Sequence, residues 1–150
     1  MTLSVCRHLT DAGFIDALKT HGSALQSLKL VSWFFTPFSP QERVLDQTIQ
    51  YLPLLRYLAV VGPFASDAFW RHLKEKGHAN LETILVKNCL VRYESCIDAI
   101  EARKMPELKV LSVSGSMLRG DGWNAEQAGR VSASFDLNAG MRADCMSELL

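Results

Sequence analysis

Leu55-Arg-Tyr-Leu58-Ala-Val60 is one of four hexapeptides in this chain written on a single pattern. The others are Leu25-Gln-Ser-Leu28-Lys-Leu30, Leu81-Glu-Thr-Ile84-Leu-Val86 and Leu108-Lys-Val-Leu111-Ser-Val113. Each places aliphatic residues at positions one, four and six, and the starts at Leu25, Leu55, Leu81 and Leu108 are nearly evenly spaced. The final residues of each unit alternate, which describes a short strand with one face turned inward and one outward. A single unit of this size cannot bury its apolar face alone, so several must stack. A further unit fits at the front: Met1 and Leu3 occupy its second and third apolar positions, and the step to the Leu25 unit equals that from Leu81 to Leu108.

The stretches between these units read as helices. Ser39-Pro40-Gln41-Glu42 has the form of a capping box with Pro at the first helical position, followed by Val44, Leu45 and Ile49 and stopped by Pro53. Thr10-Asp11 caps a helix carrying Phe14, Ile15 and Leu18, with Gly22 as its stop. Ser66-Asp67 caps one carrying Phe69 and Leu73, with Gly77 as the stop. Ser95 is expected to open the helix of Ile97, Asp98, Ala99 and Ile100, and Pro106 to close that unit. Chance Leu spacing in an ordinary α/β domain is the competing explanation, and four near-equal steps with a helix start in every gap weigh against it.

A period of about 20–29 residues on this template is the signature of leucine-rich repeats. The fold class expected is therefore α/β: a right-handed leucine-rich-repeat solenoid of four to five repeats, a curved parallel sheet with helices on its convex side. It should occupy residues 1–116. The pattern fades after Ser116, and residues 117–150, rich in Gly, Ala, Ser and Asp, are expected to form an irregular C-terminal cap or disordered tail. Because Met1 falls inside a strand and no polar cap precedes it, the chain reads as a fragment of a longer protein.

Cys6-Arg-His-Leu-Thr-Asp-Ala-Gly-Phe14 resembles the cysteine-containing subclass of leucine-rich repeats, and Lys87-Asn88-Cys89 resembles the strand end of the same subclass. In the repeat frame Cys6 and Cys89 share the template's Asn/Cys position, where the other units carry Trp33, Pro63 and Ser116. The four clear units are similar to the repeats of F-box/leucine-rich-repeat proteins. That resemblance, covering about residues 1–116, implies substrate recognition for an SCF-type ubiquitin ligase. The ligase adaptor would be a partner only if an F-box lies upstream, since none precedes the first repeat here. The alternative is a stand-alone repeat scaffold or sensor-type binding domain unrelated to ubiquitination.

Bulk properties narrow the choice of partner. The chain has 150 residues and 48% hydrophobic content, enough for one domain with a core. Lys+Arg and Asp+Glu are equal at 16 each, which supplies no electrostatic reason to expect nucleic acid or an anionic membrane. The N-terminus lacks a basic start followed by an apolar run, so no secretory signal is expected. The most apolar stretch, residues 28–38, is too short and too interrupted to span a bilayer. The four cysteines, Cys6, Cys89, Cys96 and Cys145, form no Cys-x-x-Cys pair and read as reduced thiols of a cytoplasmic or nuclear protein.

No G-x-S-x-G, P-loop, H-E-x-x-H or G-x-G-x-x-G motif occurs, and no enzymatic activity, cofactor or metal is expected. His72 and His78, six apart, suit no common ligand pair, and Cys6 beside His8 reads as a repeat cysteine next to a solvated histidine. Arg119-Gly120-Asp121 is read as a chance tripeptide, and Asp121-Gly122-Trp123-Asn124 lacks the oxygen ligands of a calcium loop.

A protein partner is expected on the concave face, at the outward strand positions. These are Thr2 and Ser4; Ser27, Lys29 and Val31; Tyr57, Ala59 and Val61; Thr83, Leu85 and Lys87; and Val110, Ser112 and Ser114. Tyr57 is the amphipathic anchor candidate, and Lys29 and Lys87 favour an acidic segment of the partner. The Leu25 unit is longer than the others and carries Trp33-Phe34-Phe35-Thr36-Pro37-Phe38 after its strand. At least one of Phe34 and Phe38 is expected as an exposed anchor, the alternative being that all four aromatics plug the core.

Overall fold

Four copies of one strand pattern, repeated at nearly constant spacing, pair with their neighbours in sequence. The computed structural model describes residues 11–31, 43–89 and 91–114, together with Glu126, Gln127 and Arg130. The elements run α1 (Asp11–His21), β1 (Ser27–Val31), α2 (Val44–Thr48), β2 (Tyr57–Val61), α3 (Asp67–Lys76), β3 (Thr83–Lys87), α4 (Tyr93–Glu101) and β4 (Val110–Ser114). The strands form one parallel sheet in the order β1-β2-β3-β4. Its register aligns Ser27, Tyr57, Thr83 and Val110, and one residue on, Leu28, Leu58, Ile84 and Leu111. The pairing thus follows the spacing of the hexapeptides residue for residue. The unit fitted to Met1 and Leu3 lies outside the described residues, as does the Ser39–Glu42 capping box.

Alternation divides the sheet. Leu28 and Leu30, Leu58 and Val60, Ile84 and Val86, and Leu111 and Val113 all enter one core cluster. That cluster also takes Phe14, Ile15 and Leu18 of α1, Val44 and Leu45 of α2, Phe69, Trp70 and Leu73 of α3, and Cys96, Ile97 and Ile100 of α4. The helices therefore pack against a single face of the sheet. Each fully buried Leu, Ile or Phe contributes roughly 1.5–3 kcal/mol by leaving water. None of the described helices is long and apolar enough to cross a membrane.

Backbone hydrogen bonds outside the strands repeat from unit to unit. The Gln26 carbonyl accepts from Arg56 N at 2.8 Å and Tyr57 N at 3.0 Å. The Arg56 carbonyl does the same for Glu82 N and Thr83 N, and the Glu82 carbonyl for Lys109 N and Val110 N, at the same pair of distances. Cys89 is buried, and its thiol donates to the Gly62 carbonyl of the preceding unit at 2.8 Å.

The helix starts are tied across units. Ser66 caps α3 as its sequence suggests, its Oγ accepting from Ala68 N at 3.2 Å. Asp46 in α2 holds that cap, accepting from Ser66 N at 2.9 Å and from the Ser66 hydroxyl. Asp67 in α3 likewise accepts from Arg92 N at 2.8 Å. The structure differs from the sequence reading here: α4 begins at Tyr93, ahead of Ser95, with Arg92 as an N-cap whose side chain makes no cap hydrogen bond and whose own N–H is taken by Asp67 of the preceding unit. Of residues 117–150 the structure describes three, and all are helical. Gln127 donates to Glu94 at 2.7 Å, and Arg130 makes a two-point contact with Glu101 at 2.9 and 2.8 Å while its Nη1 reaches Glu94 at 3.1 Å.

The two glycines read as helix stops act differently. Gly77 follows α3 with φ of +74°, the left-handed conformation that favours glycine. Gly22 is not in that region; it opens a short 3₁₀ turn, and a Cβ there would run into the Leu52 side chain and lie 3.1 Å from the Tyr51 carbonyl oxygen. Gly22 is thus required by close approach of the next unit. Gly22→Ala should lose about 1–3 kcal/mol of unfolding free energy through overpacking, measured in urea. In a Leu52→Ala background the cost of the same change should fall by more than half; equal costs in both backgrounds would show that the contact is irrelevant.

His78 also joins successive units. Its Nε2 lies 2.9 Å from the Leu52 carbonyl oxygen and donates to it, while Nδ1 is buried without a partner. Burial holds the imidazole below its ordinary value of 6.5, against the pull of the Leu52 bond and with nearby His72 acting in the same direction as burial. As pH falls below 6.5 the unfolded chain takes up the proton before the folded chain does. The stability that His78 contributes is present above that pH and is lost as pH falls through the depressed folded value. His78→Gln should flatten the fall in unfolding free energy as pH drops below 6.5; identical pH profiles for the two proteins would exclude this role.

Candidate protein-binding face

The sheet face opposite the helices carries the alternate strand residues in three rows. The register puts Ser27, Tyr57, Thr83 and Val110 in the first, Lys29, Ala59, Leu85 and Ser112 in the second, and Val31, Val61, Lys87 and Ser114 in the third. Neighbouring strands lie about 4.8 Å apart, so each row is a continuous line of side chains. Lys29 and Lys87 are its cations, and no acidic residue stands in any row.

The rows differ in what they offer a partner. All four residues of the first are half-buried, as are Val31, Val61 and Lys87 of the third. In the second, Lys29 is exposed, whereas Ala59, Leu85 and Ser112 are only 2%, 5% and 8% exposed. Sequence alternation turns these three outward, and their strand positions agree, but outward direction does not give them solvent contact. Ala59 is the clearest case: a one-carbon side chain on an inner strand stands between longer Lys29 and Leu85. Solvent contact therefore falls to the four residues of the first row, to Lys29, and to Val31, Val61 and Lys87. Phe34 and Phe38, the expected anchors beyond β1, lie outside the described residues, as do Thr2 and Ser4.

Sequence reasoning missed the edge where the chain turns into the strands. Tyr51 and Leu54 are 40% and 46% exposed, the large hydrophobic side chains left in water among the described residues. Leu54 stands beside an open groove of about 450 Å³ lined also by Gln26, Arg56, Asn80, Glu82 and Glu107. Arg56 donates from Nε to Glu82 Oε1 at 2.8 Å, and this bond holds the Glu82 carboxyl below the usual carboxylate range. A signal existed in Leu52-Pro53-Leu54-Leu55: with Leu52 and Leu55 both fully buried, the leucine between them has no inward position left.

Among the described residues no group of three or more His, Cys, Asp or Glu side chains is placed to hold a metal ion. Cys89 and Cys96 are buried and unpaired. Burial pushes the Cys89 thiol up to about 12 and raises that of Cys96 as well, so neither presents a thiolate at neutral pH. In the native protein at about pH 8, Cys89 and Cys96 should stay unmodified by a thiol reagent that labels both after denaturation, as read by peptide mass mapping; rapid native labelling of either would contradict the burial. No protein-family model matches this chain, and no curated protein matches it.

Proposed function

We propose that the chain is a leucine-rich-repeat solenoid of the cysteine-containing kind that acts as a protein-binding module through the strand face. The observation that carries this reading is the shared register: four nearly evenly spaced units present the same positions of each strand side by side. Stacked units of this type build one extended surface from many short strands. The thiol of Cys89 supports the subclass. It stands where the template sets Asn or Cys, and it donates to a carbonyl of the preceding unit. The partner suited to the face is a segment with acidic residues near Lys29 and Lys87 and an apolar group against Tyr57, Val31 and Val61.

By its resemblance to F-box/leucine-rich-repeat proteins, the bound partner is a substrate for SCF-type ubiquitin ligation in the cytoplasm or nucleus, with the ligase adaptor a partner only if an F-box lies upstream in the full-length protein. Tyr57→Ser combined with Lys87→Glu should lower partner affinity about 30-fold or more, the effect of losing a hot spot, with little change in Tm. Lys74→Ala on the helix side should leave affinity unchanged. The reverse pattern, with loss from the helix side only, rejects the strand face. A strand-face ligand that accumulates when the protein is depleted supports ubiquitin ligation, and one whose level stays constant supports a scaffold instead.

A further inference from the structure

Helices α3 and α4 meet along three cross-helix rungs. At the first, Asp67 Oδ1 accepts from Arg92 N at 2.8 Å, and Asp67 Oδ2 lies 3.5 Å from Arg92 Nε. At the third, Lys74 Nζ donates to Asp98 Oδ2 at 2.8 Å. Arg71 and Ser95 stand between these pairs in sequence, at the same interval as Lys74 and Asp98, and line the same hollow, which places them at the middle rung. All six side chains line one hollow of about 190 Å³.

The middle rung is electrically incomplete. The outer two join a carboxylate to a cation, whereas the middle one sets a guanidinium opposite a neutral hydroxyl. Arg71 is exposed and makes no ion pair among the described residues. Ser95 is half-buried at the third residue of α4, in the first turn, where the helix dipole favours negative charge. Three cations, Arg71, Lys74 and Arg92, face two carboxylates, Asp67 and Asp98, each of which already has its partner. Among its lining residues the hollow thus has one more cation than carboxylates, next to a hydroxyl.

We propose that Ser95 is a phosphorylation site whose phosphate is held by Arg71 and Arg92 and closes the α3–α4 seam. The co-reactants are ATP and a protein kinase directed by arginine, and Arg92, one helical turn before Ser95, is its recognition residue. The Ser95 oxygen forms a bond to the γ-phosphorus of ATP, and the bond from that phosphorus to the β,γ-bridging oxygen breaks. ADP leaves with the electron pair, and the serine proton passes to the catalytic carboxylate of the kinase. The product carries close to two negative charges and three acceptor oxygens, the geometry a guanidinium binds at two points. The consequence is a seam with all three rungs charged. This inference does not depend on what the strand face binds.

The test compares four proteins by thermal unfolding at low salt: the unmodified chain, the chain with phosphoserine placed at position 95 by a recoded codon, and Arg71→Gln in each. Phosphoserine should raise Tm by roughly 2–4 °C. Arg71→Gln should abolish that gain while leaving the unmodified chain within about 1 °C, and about 1 M salt should shrink the gain. An unchanged or lowered Tm, or a gain indifferent to Arg71→Gln, overturns the proposal. In parallel, an arginine-directed kinase with ATP should label Ser95 of the native unmodified protein, and Ser95→Ala should remove that label; failure to label Ser95 overturns the assignment as a modification site. Millimolar inorganic phosphate is added to the unmodified protein as a control. An Arg71-dependent gain of equal size there would make the hollow a site for free phosphate and overturn the covalent reading, whereas no gain supports it.

Discussion

The rest of the structure depends on one backbone carbonyl in each unit receiving two N–H groups from the next. Gln26, Arg56 and Glu82 play this part in turn, just before their strands begin. Because the carbonyl is backbone, its side chain is free to vary, and Gln, Arg and Glu serve equally. The bond fixes where each new strand starts relative to the last. A slip of one residue would turn every inward leucine outward, so the cost of misregister is the burial energy of a whole strand rather than of one contact.

The helix side is built by a different rule. The described helices are short, from five to eleven residues, and lengths of this order are marginal in isolation. They are held by burial on one face and by polar ties between successive units: Asp46 to Ser66, Asp67 to Arg92, Lys74 to Asp98, and Glu94 and Glu101 to Arg130. Exposed pairs such as Lys74–Asp98 contribute little each. The bonds from Asp46 and Asp67 have a second effect, since they satisfy backbone N–H groups at helix starts and so select where the helix begins. His78 and Gly22 join units through the turn side, one by a hydrogen bond to Leu52 and the other by having no side chain to strike it.

These constraints leave the strand face as the region with compositional freedom. Its residues take no part in the core cluster, and its cations are not matched by acids on the same face. The buried thiols belong to the opposite category. Cys89 spends its hydrogen on a carbonyl of the neighbouring unit, and Cys96 is enclosed by core.

The hexapeptides by themselves determined which strands exist, their parallel register and which strand residues enter the core, because period-two alternation and a near-constant repeat are local properties of the chain. The Ser66 cap and the Gly77 stop were legible for the same reason: a helix end is read within a few residues. Other features required the stacked units. The tie of the α4 start to Asp67 in the preceding unit is one, and the need for glycine at position 22, which follows from Leu52 in the next, is another. The closure of Ala59, Leu85 and Ser112 to solvent, the exposure of Leu54 and the hollow that Arg71 and Ser95 line together are likewise absent from any one unit. Side-chain exposure and charge pairing are set by what lies one strand or one helix away, and that neighbour is a full repeat distant along the chain.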